Sequence, residues 1–231
     1  MYTRDEAFRI AQALGTSDEY PVIPRHVEQP PPAFTIALSR EPGSGGALVA
    51  AEVGRRLNWP VYDHELLTRI AHDLKIDVNR LKGIDERPGS RLVECLEAFG
   101  SASTVTEVAY FRSLLRLILA LGARGHCVIV GRGAMIALPL ETTLRVRVVA
   151  RREDRIAAVA REQGYSRVEA ARFLETRDRE RTRFIKDHYH KDIADPLLFD
   201  LILNASRFNI EECATIVMES LARLQARKLA R

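Results

Sequence analysis

The chain of 231 residues has little of several features that mark common protein classes. Its three cysteines, Cys95, Cys127 and Cys213, are far apart and odd in number, so they lack the paired spacing of a zinc or redox site. The longest apolar run, residues 114–121, is interrupted by Arg116 and is much shorter than the ~20 residues that cross a bilayer. The cysteine spacing predicts reduced, buried thiols. The short apolar run predicts a core helix and no membrane-spanning segment.

The N-terminal residues also lack an apolar run followed by a small-residue cleavage site, so we expect a cytoplasmic protein. Neither sign of charge dominates, because 35 basic and 31 acidic residues give a net charge of +4. That excess is compatible with anionic ligands but does not by itself predict nucleic-acid binding. A nucleic-acid-binding domain would carry basic residues interleaved with exposed aromatics, whereas the basic stretch here is largely balanced by acids.

Composition divides the chain into two parts. Residues 1–32 begin with a capping box, Thr3 with Glu6, and a short apolar stripe of helical period. They end in three consecutive prolines at 30–32, which cannot lie inside a helix. We expect an N-terminal helix and a proline-rich linker over 1–32, and a single α/β domain over 33–231.

After the linker, short apolar segments alternate with helical ones. The predicted strands cover residues 34–39, 61–62, 127–130, 144–149 and 201–204. The predicted helices cover 47–57, a segment starting at 63, 91–99, 104–121, 152–186 with a break at Gly164 and a capping box at Ser166 and Glu169, and a segment from 210 capped by Asn209 with Glu212. This alternation predicts a parallel sheet with helices on both faces.

The most informative segment, IALSREPGSGGALVAAEVGRRL at residues 36–57, predicts a strand, a glycine-rich turn and an amphipathic helix in that order. Backbone amides of such a turn, followed by a helix N-terminus, can bind phosphate. Against the pattern G-x-x-x-x-G-K-[ST], Gly45 takes the second glycine, while Arg40, Gly46 and Ala47 stand at the first glycine, the lysine and the hydroxyl residue. A turn that only connects strand to helix is the alternative interpretation.

Four further segments follow this turn: YDHELL from Tyr62, VIVGRGA at 128–134, RDRERTRFIKDHY at 177–189 and DPLLFDLILNAS at 195–206. Together with SREPGSGG, their order and spacing resemble the cytidylate kinase-like family, whose members characteristically carry a GSGG loop without the lysine. The resemblance covers nearly all of the chain from Phe34 onward. It implies a P-loop NTPase fold and transfer of the γ-phosphoryl group of ATP, with Mg²⁺, to a nucleoside monophosphate. CMP and dCMP are the leading candidates.

The resemblance also implies roles for individual residues. The phosphates of ATP would be bound by Gly43, Ser44, Gly45 and Gly46. Arg40 is predicted to bind the same phosphates because it is the only basic residue in the loop; the alternative is that it pairs with Glu41 or with a surface carboxylate. The monophosphate would be bound by Asp63, Arg69, Arg132, Asp178 and Arg181. Where the family's enzymes have an aspartate after the arginine of VIVGRGA, this chain has Gly133, which affects recognition of the base or sugar.

The basic stretch from 151 to 186, with eleven basic and seven acidic residues, has two interpretations. It could be a solvated helix face with paired charges, or a helical lid whose arginines neutralise the transferred phosphoryl group. On the second interpretation Arg40, Arg181 and Arg183 are the catalytic candidates. The register is open, because Glu180 with Arg183 repeats the spacing of Asp178 with Arg181.

Two hypotheses follow for the function. The first is a kinase that acts on small-molecule nucleotides. The second is a nucleotide-binding module of the same fold with weak or no catalysis, because Gly46 and Ala47 replace the lysine and the magnesium-binding hydroxyl. Ser44 could supply a hydroxyl from another place in the loop. His188 and His190 are two residues apart with no third ligand nearby, so we expect them on a surface loop.

Overall fold

The computed structural model describes residues 33–63 and 105–229. Its elements are β1 (Thr35–Arg40), α1 (Gly46–Leu57), β2 (Val61–Tyr62), α2 (Val105–Arg124), β3 (Cys127–Val130), α3 (Ala134–Ala137), β4 (Thr143–Val149), α4 (Arg152–Gln163), α5 (Arg167–Tyr189), a 3₁₀ turn (Pro196–Leu198), β5 (Leu201–Asn204) and α6 (Ile210–Leu229). The predicted N-terminal helix and linker, the helix predicted from residue 63 and the helix predicted at 91–99 lie outside the described residues.

The five strands form one parallel sheet in the order β2-β3-β1-β4-β5. In the register, Thr35 of β1 is paired with Cys127 of β3 and with Thr143 of β4. The three central strands are largely buried, because helices cover both faces of the sheet. Their apolar runs explain why the sequence predicted these strands to within one residue.

Each face of the sheet has its own hydrophobic core. On one face, α2, α3 and the C-terminal part of α5 pack over Ala37 and Ile129. On the other face, α1 and α6 pack over Ile36, Val128 and Val146. The structure therefore confirms an α/β fold with helices on both sides of a parallel sheet.

Helices α4 and α5 form a basic hairpin beside the carboxyl edge of the sheet. The predicted capping box is present, since Ser166 accepts a hydrogen bond from the amide of Glu169 and the Glu169 carboxylate accepts one from the amide of Ser166. A small apolar cluster that includes Ile156 and Leu174 joins the two helices.

Helix α5 extends to Tyr189, three residues beyond the predicted end. The expectation that His188 lies on a surface loop is wrong, because its ring is half-buried and stacks on Phe111 with 4.6 Å between ring centroids. Within the two described ranges, no helix has the length and hydrophobicity needed to span a membrane.

Candidate active site

The glycine turn between β1 and α1 has the backbone geometry of an anion site. Gly43 and Gly45 both have a φ of 75°, in the left-handed region that favours glycine, and Gly45 is the N-cap of α1. The turn is anchored by the amide of Glu41, which donates to the carbonyl of Val148 at 3.0 Å. In the part of the chain that the structure describes, the amides of Gly45, Gly46 and Ala47 donate no hydrogen bond. These donors at the start of a helix are available to a phosphate.

The hydroxyl of Ser44 is used inside the turn. It donates to the carbonyl of Glu41 at 2.7 Å and approaches that of Val148 at 3.4 Å, and the residue is 4% exposed. In this conformation Ser44 does not replace the hydroxyl that a standard P-loop offers to magnesium. Residues 33–63 and 105–229 also contain no group of three acidic, histidine or cysteine side chains arranged to bind a metal.

Arg40 occupies the space where a lysine at position 46 would begin. A Cβ atom on Gly46 would lie 2.4 Å from Cβ of Arg40 and 3.2 Å from Cβ of Val148. The guanidinium extends toward the end of β3, because a Cβ on Gly131 would lie 2.8 Å from a terminal nitrogen of Arg40. Glycine at 46 and arginine at 40 are thus sterically linked.

The electrostatic surroundings of Arg40 combine burial with two charged neighbours. Burial lowers its pKa, the positive charge of Arg132 lowers it further, and the carboxylate of Asp63 opposes both effects. The neighbouring carboxylate of Glu41 lies instead 3.4 Å from Arg147 and 3.5 Å from Arg155. Arg40 therefore faces the site rather than serving as the counter-charge of Glu41.

A second turn, Gly131-Arg132-Gly133 after β3, lies opposite the first. All three residues have positive φ, with Arg132 at 53°. The guanidinium of Arg132 lies 4.9 Å from the centre of the Phe184 ring. The backbone carbonyl of Arg132 accepts a hydrogen bond from the hydroxyl of Tyr189 at 2.9 Å. Burial lowers the pKa of Arg132. Two contacts from α5 thus hold a strained turn whose arginine is partly desolvated.

The absence of the family's aspartate at position 133 has a steric reason. A Cβ atom on Gly133 would lie 2.2 Å from the ring of Tyr189 and 2.7 Å from its hydroxyl oxygen. Tyr189 thus fills the space that an acidic side chain would need. The second turn therefore carries no carboxylate at position 133.

Arg181 on α5 reaches the end of β1. One terminal nitrogen donates to Oγ of Ser39 at 3.2 Å. Burial lowers the pKa of Arg181 to about 10, helped by the positive charges of Arg40 and Arg147 and opposed by Asp178 and Glu41. Like charges brought together at a partly dry position are unfavourable without a ligand, and an anion would relieve this repulsion.

These side chains surround a cavity of about 480 Å³ at the carboxyl ends of β1 and β3. Among the described residues, its lining carries four arginines but a single carboxylate, that of Glu180; the arginines are Arg40, Arg132, Arg177 and Arg181. Two aromatic rings, Phe173 and Phe184, complete the walls. In open α/β sheets ligands bind at this edge of the strands, and the charge of the lining fits a polyanion.

The structure brings together the predicted residues Arg40, Arg132 and Arg181, with Asp63 near Arg40. It does not bring Arg183 to the cavity: this side chain is 84% exposed, and its Nε donates to Asp187 at 3.1 Å.

Two other predicted acceptor residues are not part of the described cavity. Asp178 is directed to Arg155, whose terminal nitrogen donates to both carboxylate oxygens at 2.7 and 2.8 Å. Arg69 lies outside the described residues.

Sequence reasoning missed three residues that shape the site: Arg147, Arg155 and Tyr189. Arg147 donates to the carbonyl of Ile193 and pairs with Glu41. A signal for it existed, since Arg147 interrupts an apolar strand. Arg155 contacts Pro42, which is 113 residues away in the sequence, and Tyr189 contacts Arg132, which is 57 residues away. The local sequence pattern does not indicate either contact.

The fold and the glycine turn together define a P-loop α/β protein of the kinase type. A model of the cytidylate kinase-like family matches residues 35–207, about three quarters of the chain. The chain therefore belongs to the cytidylate kinase-like family. No curated protein sequence matches it.

Solved structures with similar folds include an uncharacterized protein from Eubacterium ventriosum, with a TM-score of 0.67, 21% identity and coverage of 82% of this chain and 98% of that chain. A shikimate kinase from Bacteroides thetaiotaomicron has a TM-score of 0.43, 19% identity and coverage of 82% and 98%. A deoxyadenosine kinase from M. mycoides with dCMP and dCDP bound has a TM-score of 0.37, 14% identity and coverage of 83% and 100%. At these identities the likeness concerns the fold alone.

Proposed function

We propose that the protein is a nucleotide kinase that transfers the γ-phosphoryl group of ATP to a nucleoside monophosphate, with CMP and dCMP as the leading candidates. The observation that carries the proposal is the convergence of Arg40, Arg132 and Arg181 on one cavity next to the glycine turn. Membership of the cytidylate kinase-like family supports it.

The donor side of the site is the glycine turn. The free amides at the start of α1 would bind the β and γ phosphates of ATP, and Arg40 would supply the cation that a lysine supplies in a standard P-loop. With Ala47 lacking a hydroxyl and the hydroxyl of Ser44 turned inward, the described residues of the loop offer no side-chain hydroxyl to magnesium. Mg²⁺ would arrive with the phosphates of ATP, which are its usual ligands in kinases.

The acceptor side is formed by the second turn and α5. Arg132 and Arg181 would bind the phosphate of the monophosphate, with Asp63 and Arg69 adding contacts from the segment after β2. Glu180, the carboxylate in the described lining, pairs with Arg177 at 2.9 Å and would use its remaining acceptor capacity for a nucleobase amino group. An oxygen of the acceptor phosphate attacks the γ phosphorus, and the bond from that phosphorus to the bridging oxygen breaks, so that ADP leaves. The arginines neutralise the charge that spreads over the equatorial oxygens.

The alternative is a nucleotide-binding module of the same fold with weak or no turnover. The inward orientation of the Ser44 hydroxyl and the absence of a hydroxyl at Ala47 favour it. Both proposals expect the protein to bind ATP. Only the kinase proposal expects a nucleoside diphosphate to form from the monophosphate.

The test incubates the purified protein with ATP, Mg²⁺ and a panel of nucleoside monophosphates, and measures diphosphate products by chromatography. The kinase proposal expects diphosphate from a pyrimidine monophosphate, and the same chain with Arg181→Ala serves as the matched blank. If ATP binds and no monophosphate is converted, the binding-module alternative replaces the kinase proposal.

A further inference from the structure

A buried arginine on α4 contacts the glycine turn and helix α5 at the same time. Nε of Arg155 donates to the carbonyl oxygen of Pro42 at 2.8 Å, and one terminal nitrogen donates to both carboxylate oxygens of Asp178. The other terminal nitrogen lies 3.5 Å from the carboxylate of Glu41. Arg155 is 7% exposed, although α4 is rich in charged residues. One side chain therefore joins the turn, α4 and α5.

The backbone of α4 supports the same turn. A Cβ atom on Gly43 would lie 2.8 Å from the carbonyl oxygen of Arg155 and 3.2 Å from its Cα. This close approach requires glycine at 43 and brings the guanidinium within reach of Pro42. The phosphate-binding turn is thus held from one side by both the backbone and the side chain of a single residue.

The contact with Arg155 also accounts for the orientation of Asp178. Both of its oxygens are engaged by the guanidinium, and the residue is not part of the cavity lining, whereas Glu180 is. A buried guanidinium needs its donors satisfied, and removing one partner leaves a desolvated charge that is poorly compensated. Lysine could not replace it, because an ammonium is a point charge without the planar fork that serves several acceptors at once.

We propose that Arg155 is a positioning residue that couples helix α5 to the glycine turn, and that Asp178 serves this ion pair instead of binding the acceptor base. The inference rests on the proposed function for the identity of the two ligands. Phosphate binding at the turn and acceptor binding along α5 then act on one connected unit. Such coupling is reciprocal at equilibrium, so each ligand changes the affinity for the other by the same factor. We expect the factor to be favourable, because both ligands stabilise the same arrangement of the turn and α5.

The test begins without nucleotide, so that it does not depend on activity. The rate of hydrogen exchange is measured at two backbone amides of the turn. The amide of Glu41 donates to the carbonyl of Val148 on β4, and the amide of Ser44 donates to the carbonyl of Glu41. Asp178→Asn is expected to accelerate exchange at both amides by about tenfold, the size of effect expected for a hydrogen bond to a charged group. Arg155→Gln should accelerate exchange at least as much, because it also removes the bond to Pro42, and the double variant should be no faster than Arg155→Gln alone.

The chain offers a matched control on the same two helices. Arg152 and Glu175 form an ion pair of 2.7 Å one turn away, with the same sequence separation of 23 residues, but both side chains are more than half exposed. Glu175→Gln and Arg152→Gln should leave exchange in the turn unchanged. If Arg155→Gln does not fold, Asp178→Asn still decides, because that side chain is 40% exposed and its loss leaves the core intact. Unchanged exchange in Asp178→Asn would overturn the inference.

A second measurement separates this inference from the proposed function. Calorimetry with a non-hydrolysable ATP analogue is performed on the wild type and Asp178→Asn, with and without CMP. If the two ligands are coupled through Arg155, the variant should bind the analogue more weakly than the wild type. CMP should raise the affinity for the analogue in the wild type and not in the variant. A variant that keeps the affinity for the analogue and the gain from CMP, and in which only the Kd of CMP alone rises, would show instead that Asp178 binds the acceptor. If the wild type binds neither nucleotide, the proposed function fails, and the exchange measurement alone decides the role of Arg155.

Discussion

Arg40 offers the sharpest test of how this loop works without its lysine. The Arg40→Ala variant removes the guanidinium that lies beside Gly131 and leaves the Cβ that packs over Gly46. Removing one preorganised donor from a phosphoryl-transfer site costs roughly 10²-fold or more in kcat/KM, or about 2.7 kcal/mol. We expect that loss in steady-state assays with ATP and CMP, with an unchanged melting temperature as the control for folding.

The steric link between positions 40 and 46 sharpens the prediction. Gly46→Lys alone should lower activity, because the new Cβ would lie 2.4 Å from Cβ of Arg40 and the loop would have to shift. Combining it with Arg40→Gly and Ala47→Ser removes that obstruction and restores the standard pattern, so the triple variant should recover at least about tenfold relative to Arg40→Ala. An alanine variant that keeps its activity, together with a lysine variant that gains strongly, would refute the idea that Arg40 replaces the lysine.

Three further outcomes follow from the geometry. Arg181→Ala should lose about 10²-fold in kcat/KM, whereas Arg183→Ala, on the solvent side of the same helix, should stay within about twofold; equal losses in kinetic assays would contradict the register of α5. Gly133→Asp should lower the melting temperature, because its Cβ would lie 2.2 Å from the ring of Tyr189, and its loss should be less than additive with that of Tyr189→Ala in the double variant. Burial raises the pKa of Cys127 to about 11, so about one thiol in a thousand is ionised at pH 8, and alkylation measured by mass spectrometry should be slow until the protein unfolds.

Much of the fold could be predicted because each buried strand is an apolar run between turn signals. The buried strand at 127–130 matches its predicted bounds for this reason, and so does the edge strand at 201–204, which is an apolar run although only Leu203 is buried. The start of α6 was equally readable, since Asn209 and Glu212 exchange the two hydrogen bonds that their spacing predicts. Local chemistry determines these features, so the local sequence is sufficient.

The candidate site could be predicted only in part. The turns that carry Arg40 and Arg132 follow strands, so their positions at one edge of the sheet come from the topology. The face of α5 could not be chosen between Arg181 and Arg183, because a helix of mixed charge has too narrow an apolar stripe to define its orientation. In the structure Ile185 and Tyr189 are buried in the core and fix the orientation of α5. With this orientation Arg181 points toward the cavity and Arg183 toward solvent.

The remaining features depend on packing between distant segments. The glycine at 133 is explained by Tyr189 at the far end of α5, and the orientation of Asp178 by Arg155 on the preceding helix. Neither contact leaves a periodic or compositional sign in the sequence. Distances in the folded chain are needed to find them.

The central claim is tested most directly by following the γ-phosphoryl group itself. ATP labelled in the γ phosphate is incubated with the protein, Mg²⁺ and CMP or dCMP, and the labelled products are separated. A kinase places the label in the β phosphate of CDP or dCDP, in amounts that rise with time and that fall about 10²-fold in Arg181→Ala. Label that stays in ATP, or appears only as inorganic phosphate, would contradict the account.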